Sequence, residues 1–319
     1  MAQTVHVPGE RAQGVAILYE LLRAMRPKQW IKNVFVLAAI VFSEQRLWTQ
    51  PDQIVLAIGA FVIFSAAASA IYLLNDLVDI EKDRAHPRKR RRPLASGRLS
   101  PVVAVIAAIV LLLLALPGAY LLDSFNEPDP SFLLVILTYL IVQGVLYTYV
   151  LKHMVILDVF TIAAGFVLRA VAGAVVLDIR ITAWLLLVMG LLSLFLGFGK
   201  RRAELVLLEG GAGSHRRILD DYSLPMLDQL LAIVSAATII AYTIFTINAT
   251  TMPQEPYPVM LLTVPFVAYA IFRYIYLIHR REGGAGAPEE LVLTDRPLAI
   301  SIVLYGITVM ALLFIYRAS

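Results

Sequence analysis

Long apolar runs recur along almost the whole chain, and they leave few folds open to it. A helix that crosses about 30 Å of hydrocarbon needs roughly 20 residues with few charges. Nine stretches approach that requirement: Trp30 to Phe42, Ile54 to Val78, Pro101 to Leu122, Phe132 to Leu151, Val159 to Leu177, Ile181 to Phe198, Leu227 to Ile247, Val259 to Leu277, and Pro297 to Tyr316. The first is the shortest, and Arg23, Arg26, Lys28 and Lys32 crowd its N-terminal side. These runs are not the interior of a water-soluble protein. Of 319 residues, 60% are apolar and 16% charged, against roughly 45–50% and about 25% in soluble domains, and a soluble chain of this length cannot hide so much apolar surface. The expected fold is therefore all-α: a polytopic membrane protein of nine transmembrane helices, forming one integral membrane domain over residues 1–319. No apolar run with a small-residue cleavage site lies near Met1, so no cleavable signal peptide is expected.

The placement of charge gives an orientation. With the N-terminus in the cytoplasm, 23 of the 27 Lys and Arg fall on the inner side, while Arg46, Arg180 and Arg317 fall outside and Arg169 lies within a span. The bias holds loop after loop, as the positive-inside rule requires, and an odd number of spans then puts the C-terminus outside. A bacterial-type inner membrane is the expected location. The extramembrane pieces are too short for a second domain, so any chemistry must be built on helix ends and cytoplasmic loops. The absence of cysteine excludes a disulfide framework, thiolate metal sites and a cysteine nucleophile. Five scattered histidines have no metal-ligand spacing, which argues against zinc. No nucleic-acid partner is expected, and an oligomer remains open. The segment Gly283-Gly284-Ala285-Gly286 reads only as a turn-rich loop.

One helix end carries a denser pattern. The second span finishes Tyr72-Leu73-Leu74-Asn75-Asp76-Leu77-Val78-Asp79, and Asp83 follows, so Asn75, Asp79 and Asp83 recur at i, i+4 and i+8. On a helix that spacing stacks three oxygen ligands on one face, about 6 Å apart. Like charges so close repel unless a cation intervenes, and hard oxygens with room for water and phosphate suit Mg²⁺. A magnesium–diphosphate site is one reading; a solvated carboxylate cap is the other. Asn75 and Asp76 lie at the apolar edge, where polar groups are costly, which favours the first. Directly after come Arg84, His86, Pro87 and the run Arg88 to Arg92. Those guanidiniums are bidentate donors for phosphate, and equally they are a topogenic, lipid-attracting loop.

The pattern Asn75-Asp76-x-x-Asp79-x-x-x-Asp83, followed by His86-Pro87 and Arg92-Pro93-x-Ala95-x-Gly97, resembles the first aspartate-rich motif of the UbiA superfamily of intramembrane prenyltransferases. The chain is most similar there to the branch of decaprenyl-phosphate phosphoribosyltransferases. The likeness extends to Arg26-Pro27-Lys28-Gln29-Trp30-Ile31-Lys32-Asn33, to Tyr147 through Lys152 and His153 with Asp158, to Arg169-Ala-Val-Ala-Gly173, to Gly199-Lys200-Arg201-Arg202-Ala203-Glu204-Leu205, and to Tyr222-Ser223.

The resemblance implies a UbiA-like bundle with a cytoplasm-facing active-site cavity. It also implies Mg²⁺ held by Asn75, Asp79 and Asp83, and transfer of phosphoribose from 5-phosphoribosyl 1-diphosphate to a polyprenyl phosphate in a cell-wall arabinan pathway. Where most members have a second acidic motif, this chain has Lys200-Arg201-Arg202-Ala203-Glu204, a cluster suited to an additional phosphate and a ribose hydroxyl. Asp79, Asp83, Lys152 and Lys200 are then the expected catalytic residues. Lys28, Lys32, Asn33, Asp76, Arg88, Arg92, Tyr147, Arg201 and Glu204 are the expected substrate contacts. Tyr147 and Lys152 also fit an aromatic belt with a positive-inside lysine. Asp158 and Arg169, eleven residues apart, share a helix face and read either as functional charges or as members of an interhelical ion pair. Asp220, Asp221 and Asp228 are available as substitutes for the missing acids, which keeps open an aromatic prenyltransferase using prenyl diphosphate. A nine-span anion transporter is a third reading, although no inverted repeat is visible.

Overall fold

The computed structural model describes residues 14–43, 47–85, 89–126, 131–209, 217–248, 253–280, 291 and 294–316. Among the described residues every regular element is helical and no strand occurs. In chain order these are α1 (Val15–Met25), a 3-10 helix (Pro27–Leu37) running into α2 (Ala38–Phe42), α3 (Pro51–Val78), α4 (Ile80–Ala85), α5 (Pro101–Asn126) and α6 (Ser131–Tyr139). A π-helical stretch (Leu140–Leu146) joins α6 to α7 (Tyr147–Tyr149). They are followed by α8 (Leu157–Val176), α9 (Ala183–Glu209), α10 (Leu224–Asn248), α11 (Val264–Arg280) and α12 (Arg296–Tyr316).

Eight helical runs among the described residues are long and apolar enough to cross a membrane, and they coincide with the second to ninth expected spans. The first expected span is wound differently. Its residues form the 3-10 helix and the five-residue α2, and at about 2.0 Å per residue in the first part and 1.5 Å in the second, Pro27 to Phe42 reaches about 30 Å. Tighter winding thus lets a short segment cover the same distance as an ordinary span.

Two compact units are distinguished, one comprising Met1–Val41, Trp48–Tyr149 and Leu168–Ile179, the other Phe42–Leu47, Val150–Val167 and Arg180–Ser319. In the first unit α3 packs along α5. Alanines at 60, 67, 68, 115 and 119 let the backbones approach, and Phe64, Phe132, Ile136 and Tyr139 fill the space around them, the small-residue packing that membrane helices favour. The turn from α5 to α6 is tied by Asp123, whose two carboxylate oxygens accept the N–H groups of Phe132 (2.9 Å) and Leu133 (3.0 Å). These are donors that a helix start leaves without an intrahelical partner.

The 3-10 helix is fixed to the C-terminal part of α8 by two residues one turn apart. Arg169 donates to Asn33 Oδ1 (2.8 Å) and to the Tyr139 hydroxyl (2.9 Å), and its guanidinium lies over the Phe64 and Tyr139 rings. At Gly173 the two backbones touch, and a Cβ there would overlap the Val36 carbonyl oxygen. Only glycine permits that approach.

In the second unit Phe195, Phe198, Leu227, Leu231, Tyr274 and Leu277 lie in one apolar core shared by α9, α10 and α11. A separate cluster joins Tyr242, Phe245 and Met260 to Val309 and Leu313 of α12. Gly197 lets α9 approach α8, since a Cβ there would fall 2.5 Å from Val159 Cγ1.

Candidate active site

The chain leaves α3 for α4 without losing the helical ladder. Asp79 N–H donates to the Asn75 carbonyl (3.0 Å) and Asp83 N–H to the Asp79 carbonyl (2.8 Å), although Asp79 itself sits in a turn conformation at φ −97° and ψ 11°. Asn75, Asp79 and Asp83 therefore keep the i, i+4, i+8 stacking of a continuous helix. Thr148, within α7, donates to Asn75 Oδ1 (2.6 Å), which orients the amide oxygen of the first member.

Cations surround the acids. Arg92 bridges Asp76 (3.1 Å) and Asp83 (2.6 Å). Arg26 pairs with Asp76 and lies over the Tyr72 ring. Lys82 Nζ lies 3.7 Å from Asp79 Oδ1. Arg26 reaches Asp76 because it ends α1 in a left-handed conformation (φ 57°, ψ 62°) ahead of Pro27, which turns the chain sharply. Asp76 and Asp83 are both buried, so these guanidiniums offset a desolvation that unpaired carboxylates could not sustain.

Among the described residues no three His, Asp or Glu side chains converge on one point. An ion here would take two carboxylates, Asp79 and Asp83, with the Asn75 amide oxygen. Such a donor set is incomplete for a protein-only cage and matches Mg²⁺, which keeps water and substrate phosphate in its shell. The residues present fit the ion.

The other expected residues of the first unit divide. Asn33 is buried and wholly engaged, donating to Ser65 Oγ (2.9 Å) and accepting from Arg169. Lys28 is exposed and Lys32 half-buried along the 3-10 helix, and Tyr147 is half-buried beside Thr148. Arg88, with His86 and Pro87, lies outside the described residues.

In the second unit, Arg201 is 2% exposed and is clasped by Asp158 (2.7 Å) and Glu204 (2.6 Å). Arg202 donates to Asp228 (2.6 Å) and to the Ile278 carbonyl (2.9 Å), and Asp228 also faces His279 (3.2 Å). Two of the three cations at this end of α9 are thus held by carboxylates. Lys200, half-buried, makes no ion pair among the described residues. Asp228 is likewise taken, while Asp220 and Asp221 are exposed.

Lys152 lies in a 3-10 turn (Leu151–His153) before Ile156. Ile156 has φ 69°, a conformation that β-branched residues rarely adopt. The Tyr222 hydroxyl accepts the Ile156 N–H (2.6 Å) and donates to Asp158 Oδ1 (2.8 Å). Burial, reinforced by the Asp158 carboxylate, pushes the phenol above its usual range and keeps it a donor. Tyr222→Phe leaves a buried carboxylate oxygen and a backbone N–H each short of a partner, and is expected to cost about 2 kcal/mol. Thermal unfolding of the purified chain measures it.

Asp158 and Arg169 share α8 but not a partner: the first pairs with Arg201, the second with Asn33 and Tyr139. The sequence reading left out Arg26, Thr148, Ser65 and Tyr139 as members of these networks. Arg26 and Thr148 carried a signal, since each is a polar residue at the edge of an apolar run.

Comparison with known proteins places the chain in a family. The family model described as the UbiA prenyltransferase family matches residues 33–290. The decaprenyl-phosphate phosphoribosyltransferase of Mycobacterium tuberculosis is 34% identical over 88% of this chain and 89% of its own length. That of Mycolicibacterium smegmatis is 37% identical over 88% of each. Among solved structures, a UbiA homolog from Archaeoglobus fulgidus bound to GPP and Mg²⁺ is similar in fold, with a TM-score of 0.65 and 18% identity over 92% of this chain and 99% of that one. With eight long apolar helices among the described residues, this multi-pass membrane protein belongs to the UbiA prenyltransferase family, a family of transferases.

Proposed function

We propose that the chain transfers 5-phosphoribose from 5-phosphoribosyl 1-diphosphate to a polyprenyl phosphate, releasing diphosphate, in a Mg²⁺-dependent reaction. The observation that carries the reading is the 34–37% identity, over most of the chain, to decaprenyl-phosphate phosphoribosyltransferases. The state of α9 supports it. Arg202 and His279 hold Asp228, so one of the three acids that could serve a second metal is already engaged, and this end of α9 offers the cation Lys200.

Asn75, Asp79 and Asp83 would hold Mg²⁺, which when bound supplies neutralisation of the departing diphosphate. Arg92 and Arg26 keep the neighbouring Asp76 compensated, and Arg92 also holds Asp83. An oxygen of the prenyl phosphate forms the new bond to ribose C1, and the bond from C1 to the diphosphate oxygen breaks, with its electron pair leaving on diphosphate. The acceptor phosphate is already anionic at neutral pH, so no general base is needed. Lys152 and Lys200 would offset repulsion between phosphorylated substrates, and Lys28, Lys32 and Tyr147 would be further contacts. Arg201, clasped by Asp158 and Glu204, acts through its neighbours and holds the segment that carries Lys152.

The proposed setting is the plasma membrane with the N-terminus inside. Nine crossings follow if the 3-10 segment traverses the bilayer, as its reach allows, and the C-terminus then lies outside. Membranes containing the chain, given radiolabelled 5-phosphoribosyl 1-diphosphate and polyprenyl phosphate, are expected to form a labelled lipid-linked phosphoribose. Label transfer only from a prenyl diphosphate to an aromatic acceptor would overturn the assignment.

A further inference from the structure

Helix α1 has two apolar faces, and the fold uses one. Ile17, Leu21, Ala24 and Met25 pack with Ala70 and Leu73 of α3 and with Ala104 and Ala108 of α5. The Ser69 hydroxyl donates to the Met25 carbonyl (3.3 Å). The buried Glu20 faces Arg98 (3.5 Å). Directly opposite stand Val15, Leu18, Tyr19 and Leu22, at i, i+3, i+4 and i+7, all exposed, with Val15 at 86% and Tyr19 at 65%. An outward helix face in water carries charged and polar residues. This one carries none; Arg23 lies on its flank.

Three observations identify what covers it. The segment of α3 that α1 packs on ends in Leu74 and Val78, and the adjoining start of α5 bears Val102, Val105 and Ile106, all exposed. The helix that bears the stripe is therefore packed against membrane-crossing helices whose exposed side chains there are apolar, at their ends and not at mid-depth. Basic residues border it, with the exposed Arg23 and Lys28 following within two turns, as suits the headgroups of anionic lipids. Tyr19 supplies the amphipathic ring that prefers the interface between hydrocarbon and water.

We propose that α1 is an interfacial anchor: it lies along the bilayer surface with Val15, Leu18, Tyr19 and Leu22 immersed among the acyl chains of the leaflet that adjoins the Asn75 end of α3. Its occupant is lipid, not a protein. The arrangement has a functional corollary. Arg26, the last turn of this anchor, holds Asp76, so the acidic motif is referenced directly to the plane of the membrane surface, the level at which a phosphate on a lipid acceptor sits.

The chain has no cysteine, so single-cysteine labels are unambiguous. Full-length Leu18→Cys, Tyr19→Cys and Leu22→Cys, with Arg23→Cys as the flank reference, would carry a bimane fluorophore in vesicles of phosphatidylethanolamine and phosphatidylglycerol. Brominated acyl chains are expected to quench positions 18, 19 and 22 several-fold more than position 23, and aqueous iodide to show the reverse order. Equal iodide quenching at all four positions would place the stripe in water and overturn the proposal. Quenching by neither agent, or disulfide cross-linking of Leu18→Cys between two copies, would mean that protein covers the stripe and would overturn it as well. Should one variant fail to fold, the other two stripe positions carry the same comparison.

Discussion

Asp79→Asn is expected to lower Mg²⁺-dependent turnover by about a hundredfold or more, on the order of ~3 kcal/mol of transition-state stabilisation, while the unfolding temperature changes little. Asp79 is the partly open one of the two carboxylates in the stacked triad, at 27% side-chain exposure, and its ion-pair neighbour is the exposed Lys82. Removing its charge therefore leaves the fold nearly intact, as a surface change does, yet takes one of two carboxylates from the proposed ion. Asp83→Asn is a useful contrast. Asp83 is buried against Arg92, so its loss should lower stability as well as rate. Product formation, a thermal melt and a calorimetric magnesium titration separate the two. Undiminished turnover in Asp79→Asn would remove this motif from the chemistry.

Gly173→Ala is expected to be the most damaging single methyl in the first unit, costing ~4 kcal/mol or more, or preventing folding. Its Cβ would meet a backbone carbonyl, that of Val36, and no side chain can rotate to make room; ordinary overpacking against mobile side chains costs about 1–3 kcal/mol. Gly306 on α12 is the control. Nothing lies within 4 Å of a Cβ built there, so Gly306→Ala should be neutral or stabilising by up to about 1 kcal/mol. Comparing the melting temperatures of the two variants in the same detergent tests the contrast. Survival of Gly173→Ala with wild-type stability would mean that the 3-10 helix does not press on α8.

Those two sites also differ in how much of their backbone geometry the sequence carries. Eight spans were legible because hydropathy acts locally: a run such as Pro101 to Leu122 needs no partner to declare itself. Asn75, Asp79 and Asp83 were legible for a similar reason, since a spacing of four fixes a shared face as soon as the backbone is helical. The tight winding of Pro27–Leu37 was not. It is held by Arg169 on Asn33, a contact across 136 residues, and by the absence of a side chain at Gly173, and neither leaves a trace in the local pattern. Arg201 shows the same limit from another side. Its motif suggested a phosphate ligand, but Asp158, 43 residues earlier, takes the guanidinium, and sequence cannot say which of several nearby charges a long side chain will choose. Arg26 on Asp76, 50 residues apart, belongs to the same class.

The π-helical stretch from Leu140 to Leu146 carries a consequence of its own. Its wider turns set the rotational phase in which the helix arrives at Thr148, and in that phase the hydroxyl meets Asn75. Inserting one residue into the α-helical turns of α6 just before it would leave oiliness and span length almost untouched, but would swing everything beyond it by about 100° around the axis. Spacing along this strip of greasy residues, more than their identity, thus aims a polar fingertip.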